Sequence, residues 1–197
     1  MKHINPLVLS SLFLLGCWSN VIMAGTCFEL SGKGAYKQAL PVCTKASEQG
    51  NAIAQYYLGM MYHEGTGVPQ NDKQAIHWFT QAAEQGYARA QYNLGVMYRD
   101  GIGVPKNDKQ AVHWTTQAAE QGNALAQLAL GLLYYAVEGV PKNVVKAYAW
   151  WNIAAAQGQE GAADVRGIIE REMTREQIEQ AQALSEVYYK KYVKQPL

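Results

Sequence analysis

A chain of 197 residues, 49% hydrophobic and 17% charged, has the composition of one globular domain or one short repeat array, and not that of a disordered chain. Lys2 is the only formally charged residue before Gly25; with it set aside the 17 basic residues fall to 16 and balance the 16 acidic ones. A neutral chain without a basic run is not expected to take nucleic acid or an anionic membrane surface as its main partner.

Lys2 and His3 precede an apolar stretch from Leu7 to Leu15, followed by a less apolar run to Ala24. That is the layout of an export signal over residues 1–24. The apolar stretch is shorter than the ~20 residues a spanning helix needs, so no integral membrane span is expected. Cleavage after Ala24 would release a soluble periplasmic or secreted chain, which is the favoured route. Alternatively, Leu14-Leu15-Gly16-Cys17 resembles a bacterial lipobox, and lipid on Cys17 would make an outer-membrane lipoprotein. Either route leaves Cys27 and Cys43, and an oxidising compartment favours a disulfide between them over two buried thiols. Closing a loop of that order is worth ~3 kcal/mol in the chain-entropy account.

From Asn51 the chain repeats. Asn51–Gly86 and Tyr87–Gly122 are identical at 26 of 36 aligned positions without a gap, and Asn123–Gly158 keeps the same frame. A fixed period of this length marks a stacked array whose units cannot bury their apolar faces alone. In the first copy Ala54, Leu58, Met61 and Tyr62 form the stripe of an amphipathic helix A, about residues 52–63. Gly59 is small where another helix must come close. Gly65-Thr66-Gly67-Val68-Pro69 ends this helix, because glycine permits positive φ and proline bars continuation. Asn71 then caps helix B, with Gln74 placed for a capping box, and Ala75, Trp78 and Ala82 share its inner side. Helix B ends at Gly86. The expectation is an all-α fold, an α/α superhelical solenoid with a 36-residue period.

The frame Ala-x3-Leu-Gly-x2-Tyr-x2-Gly-x-Gly-Val-Pro-x2-Asp-x2-Ala-x2-Trp-x3-Ala-Ala-x-x-Gly begins at Ala54 and again at Ala90. It closely resembles the Sel1-like repeat, a relative of the tetratricopeptide repeat. The third copy, from Ala126, departs from it at Val137 and Val144, which replace a glycine and the aspartate. The resemblance implies a right-handed solenoid used for protein–protein contacts, with helix A on the concave side. Exported bacterial members resemble adaptors in envelope assembly, signalling and host interaction. Related cysteine-rich members carry a β-lactamase label, which leaves a β-lactamase-like or cell-wall-fragment-binding envelope protein as the alternative.

Terminal units must seal such an array. Moving the frame back by one period makes Tyr36–Gly50 a helix B, weakened by Pro41, within a half-repeat cap over residues 25–50. Thr26–Leu30 would be a short cap pinned to it by the disulfide. At the other end residues 159–197 supply capping helices. Glu160–Glu172 carries Ala162, Val165 and Ile169 on one stripe, with Arg166 where other copies have leucine. Thr174 and Gln177 form a capping box that opens a last helix with Ile178, Ala181, Leu184 and Tyr188 inward.

The ten differences between the first two copies concentrate in helix A, where positions 53, 57, 60 and 64 share one face. A face left to drift in solvent would hold Lys, Glu or Gln. This one holds Ile53, Tyr57, Met60 and Val96, then Leu125, Ala129 and Leu132, crossed by Arg89 and Asn93. Tyr56, Tyr92 and Leu128 lie at its margin, and His63, Arg99 and Tyr135 at its end. Exposed apolar residues with tyrosine and arginine are interface chemistry, so these fifteen positions less Ala129, fourteen in all, are the candidate site for a protein or peptide partner. The chain is expected to act as a monomer. His77 and His113 recur by duplication without a second ligand at helical spacing. The tryptophans read as core and not as a cofactor platform, and neither metal nor cofactor is expected. Ser-x-x-Lys and Lys-Thr-Gly are absent from the sequence, so no activated serine is in view and the chain is not expected to be an enzyme.

Overall fold

A computed structural model describes residues 22–136 and 141–193, and every regular element in them is a helix. The lipobox at Cys17 and the departure at Val137 lie outside the described residues. Residues 22–32 are helical (α1). They are followed by α2 (Tyr36–Glu48), α3 (Ala52–Glu64), α4 (Asp72–Glu84), α5 (Ala88–Asp100) and α6 (Asp108–Glu120). Then come α7 (Ala124–Ala136), α8 (Val144–Ala156), α9 (Ala162–Glu170) and α10 (Arg175–Tyr188), with a π-helical turn at Tyr189–Val193. Helices α3, α5 and α7 are the A helices of three repeats and α4, α6 and α8 the B helices, an α/α solenoid with the expected period. The chain divides into two compact units, one ending at Gln85 and one beginning at Gly86.

Each repeat is built by the same local chemistry. Gly65 and Gly101 adopt φ of 70° and 71° and end α3 and α5 in the left-handed conformation, which costs a β-carbon-bearing residue more than glycine. Asparagine opens each B helix: Asn71, Asn107 and Asn143 accept from the N–H of Gln74, Gln110 and Lys146 at 2.9–3.1 Å. Helix α8 keeps its cap although Val144 replaces the aspartate of the other copies. The reciprocal half of the capping box expected at Gln74 does not form. The N–H it would serve is already used, because Asn71 donates its backbone N–H to the Tyr62 carbonyl at 2.8 Å. The same cross-helix bond recurs from Asn107 to Tyr98 and from Asn143 to Tyr134, each 2.8 Å. At Thr174 no such competitor intervenes, and both halves of the box with Gln177 are made, at 3.2 and 2.9 Å.

In the unit ending at Gln85, Ala54, Leu58 and Met61 of α3 pack with Ala39, Cys43 and Ala46 of α2 and Cys27 of α1. A disulfide joins Cys27 to Cys43, both fully buried, across a Cα–Cα distance of 5.0 Å. The short cap expected at Thr26–Leu30 is therefore part of a helix. Helix α2 also runs unbroken through Pro41. Proline there removes one N–H to the carbonyl four residues back, on an exposed side of the helix, while Ala39, Cys43 and Ala46 anchor the opposite side.

Helix B turns a different residue inward than expected. Trp78 and Trp114 are half-buried, and the fully enclosed positions are Phe79 and Thr115. Each lies against the glycine of its own helix A. A β-carbon on Gly59 would lie 2.7 Å from the Phe79 ring; one on Gly95 would collide with the Thr115 hydroxyl, and one on Gly131 with the Trp151 indole. The close approach expected at Gly59 is thus made within one repeat, by the residue after the repeated tryptophan.

A buried glutamine completes each unit. Gln55 donates to the Ser47 carbonyl at 3.1 Å and accepts from Gln85 at 2.7 Å. Gln127 donates to the Ala119 carbonyl at 3.1 Å and accepts from Gln157 at 2.6 Å. Gln91 donates to Gln117 and accepts from Gln121, at 3.0 and 2.7 Å. Gln55 and Gln127 thus add a second donor to the Ser47 and Ala119 carbonyls, which also accept from Gly50 and Gly122 at 2.9 and 3.0 Å, and so tie the start of helix A to the end of the preceding helix.

The unit beginning at Gly86 closes with α9, α10 and the π turn. Ala162 and Ile169 of α9 are buried and Val165 half-buried, and Arg166 donates to Asn152 of α8 at 2.6 Å. Tyr188 and Tyr192 lie over Trp150 with ring centroids 4.4 and 5.5 Å away, and the Tyr192 hydroxyl donates to Glu120 at 3.0 Å. Among the described residues no helix is long and apolar enough to cross a membrane.

Candidate functional site

The variable positions of helix A surface because they lie on the far side from the buried stripe. In α3, Ala54, Leu58 and Met61 are enclosed while Ile53 is 41% exposed and Tyr56, Tyr57 and Met60 are half-buried. Tyr56 and Tyr57 meet at 77° with centroids 5.3 Å apart. Tyr57 also stands edge-on to Phe28 of α1 at 5.6 Å, and Tyr56 leans on Phe79 at 5.9 Å. His63 places Nδ1 2.7 Å from the Asp72 carboxylate. Its Nδ1 therefore ties the end of α3 to the start of α4.

In the second unit, α5 exposes Arg89 and half-buries Tyr92, Asn93 and Val96. Arg99 grips Asp100 with two hydrogen bonds of 2.7 and 2.8 Å. That contact holds the Asp100 carboxyl below its ordinary pKa and raises the guanidinium above its own. Of the two arginines among the candidate residues, Arg99 thus already holds an acid of its own chain, and Arg89 is the exposed one. Helix α7 leaves Leu125 and Leu132 at 48% and 38% exposure, whereas Ala129 between them is buried. Leu128 and Tyr135 are half-buried against the cluster of Tyr148 and Trp151. The Leu128 carbonyl accepts from the Trp151 indole at 3.0 Å. Tyr135 donates to both Glu172 oxygens at 3.1 Å, which raises its phenol pKa, and Lys142 sits 4.3 Å from its ring. Leu128 and Tyr135 hold the repeat to its cap, so the face α7 offers outward is Leu125 with Leu132.

One part of the first unit escaped the residue pattern. A cavity of about 160 Å³ opens between α1, the start of α2 and α3, with Tyr36, Tyr56, Tyr57, Met60 and Glu64 among its walls. Only α3 contributed to the expected face. The rest of the lining includes Ser31 and Gly32 of α1 and Tyr36 at the head of α2, two helices that the disulfide joins; of these, only Tyr36 is a residue type that stands out in the sequence.

The Sel1 repeat model matches residues 52–87, 88–123 and 124–159. The chain belongs to the Sel1 repeat family. Sel1 repeats generally mediate protein–protein interactions and are typically non-enzymatic scaffolds. Among solved structures, a Sel1 repeat protein from Oxalobacter formigenes is 39% identical with a TM-score of 0.69, over 74% of this chain and 60% of that one. A protective antigen present in uropathogenic Escherichia coli strains, displaying an SLR fold, is 36% identical with a TM-score of 0.52. That alignment covers 78% of this chain and 41% of the antigen. The chain spans less than two thirds of the length of either. A comparison with curated proteins gave no match.

Proposed function

We propose that this Sel1 repeat chain is an exported scaffold that holds a protein or peptide segment on the outward faces of its A helices. The observation that carries the reading is the exposure of Ile53, Leu125 and Leu132, large aliphatic side chains that stand outside the buried core of their repeats. Solvent-facing aliphatics flanked by tyrosine and by Arg89 match the composition of docking surfaces, in which aromatic and arginine anchors are enriched. Export is supported by Lys2 and His3 ahead of Leu7–Leu15 and by the Cys27–Cys43 disulfide, a bond that persists in oxidising compartments. The periplasm or the cell exterior is the corresponding location, with the bacterial envelope or a host factor supplying the partner.

Photo-crosslinking in cells tests this. A crosslinker at position 53, 125 or 132 should yield one discrete adduct by mass spectrometry. The same group at exposed Lys73 or Lys109 of the B helices should not. Adducts of equal yield from both sets would contradict the assignment of the face.

A further inference from the structure

We propose that the cavity of the first unit receives a lysine side chain of the docked partner. The proposal rests on the scaffold reading for the source of the lysine, and on the cavity's own chemistry for the ligand class. At about 160 Å³ the space is below the ~300 Å³ at which drug-sized molecules are held, and suits a single side chain. Three of its walls are the tyrosines Tyr36, Tyr56 and Tyr57. The last two meet nearly at right angles, 77° with centroids 5.3 Å apart. Ring faces carry negative potential and attract a cation within ~6 Å. Met60 adds thioether and methylene surface for an alkyl stem. At the rim stands Glu64, the only residue of formal charge in the lining. The Thr66 hydroxyl is buried in the same lining and has no hydrogen-bond partner among the described residues. A buried orphan hydroxyl is costly unless a ligand or water supplies the missing bond. An alkylammonium supplies the positive charge, the apolar stem and the N–H donors together.

The second copy shows what an acid at this repeat position does when a cation is in reach. Asp100 stands where Glu64 stands, and Arg99 grips it at 2.7 and 2.8 Å. The first copy has His63 in place of that arginine, and His63 is turned to Asp72 instead. No hydrogen bond or ion pair among the described residues engages the Glu64 carboxylate. The first repeat thus keeps the acid and leaves the cation to come from outside.

The test uses the full chain, with methyl-labelled methionines and signals assigned by Met60→Leu, titrated with Nα-acetyl-lysine methylamide and with its norleucine counterpart. The lysine probe should shift the Met60 and Met61 methyl signals saturably at millimolar concentration. The norleucine probe should not. Glu64→Gln, at an exposed helix end, should weaken the lysine probe ~3–5-fold, the range of an exposed ion pair, and raised salt should weaken it likewise. Tyr57→Leu should do the same through the ring. Equal shifts from norleucine, or an unchanged titration in Glu64→Gln, would overturn the proposal. If the probe fails while crosslinks from Ile53 and Leu125 persist, the pocket is wrong and the scaffold stands. If the probe binds and those crosslinks are absent, the pocket stands and the scaffold reading is wrong.

Discussion

Gln127 shows how a single side chain stabilises the repeat. It is fully buried, and a buried amide is tolerated only with its hydrogen bonds made. Both ends are engaged, the Nε2 on the Ala119 carbonyl and the Oε1 with Gln157. Gln127→Leu keeps the apolar packing but loses both of these hydrogen bonds, while the Ala119 carbonyl keeps only the Gly122 N–H at 3.0 Å. The expected cost is ~1–3 kcal/mol in denaturant unfolding followed by circular dichroism, with the slope unchanged. An unaltered midpoint would show that the glutamine is dispensable. The glutamine is legible in its presence at the same place in all three copies, but its burial is not, because a polar residue beside Ala54 looks like the edge of the stripe. Phe79 was hidden for another reason. It becomes threonine and then tryptophan in the later copies, so the position varies although its place against Gly59, Gly95 and Gly131 is constant. Repetition identifies residues that keep one identity, and does not identify a constant location filled by different side chains.

At the scale of elements, both ends of the array are sealed by devices that can be removed. Helix α1 is joined to α2 by Cys27–Cys43 within an apolar cluster that includes Met61. Replacing both cysteines with serine should lower stability by ~2–4 kcal/mol under oxidising conditions, with no further loss on adding reductant. Unchanged thermal unfolding would contradict the role given to the bond. At the far end Tyr188 lies over Trp150, and its phenol pKa is pushed up to about 12. Burial is the main cause, followed by Tyr134, Tyr192 and Glu120. The folded state therefore favours the neutral phenol. That contribution is fully present below the unfolded value of 10.0 and is lost as pH rises from there through about 12. Unfolding measured from pH 9 to 12 should show a decline that Tyr188→Phe reduces, and an equal decline in both proteins would contradict it. The burial of Tyr188 was legible from its spacing with Ile178, Ala181 and Leu184, whereas the π turn that brings Tyr192 to Glu120 has no local signature.

For the molecule as a whole, the period, the helix bounds and the asparagine caps followed from the sequence because each is written three times. The N-terminal cap is longer than the expected Thr26–Leu30, and α1 has no copy in the chain that would reveal its length. Among the site residues, position on a helix face was readable but engagement was not. His63, Arg99 and Tyr135 share one repeat position, and each is held by a different acid, Asp72, Asp100 and Glu172. Those partners come from different segments, so no spacing rule points to them. What remains facing outward is Ile53, Leu125 and Leu132 with Arg89. Burying each aliphatic side chain is worth up to ~1.5–3 kcal/mol. The most direct measurement is the affinity of the crosslinked partner for the purified chain carrying Ile53→Asp, Leu125→Asp and Leu132→Asp. Its circular dichroism should be unchanged and its binding at least ~10-fold weaker than that of the unaltered chain; equal affinity in a folded triple variant would contradict helix A as the docking face.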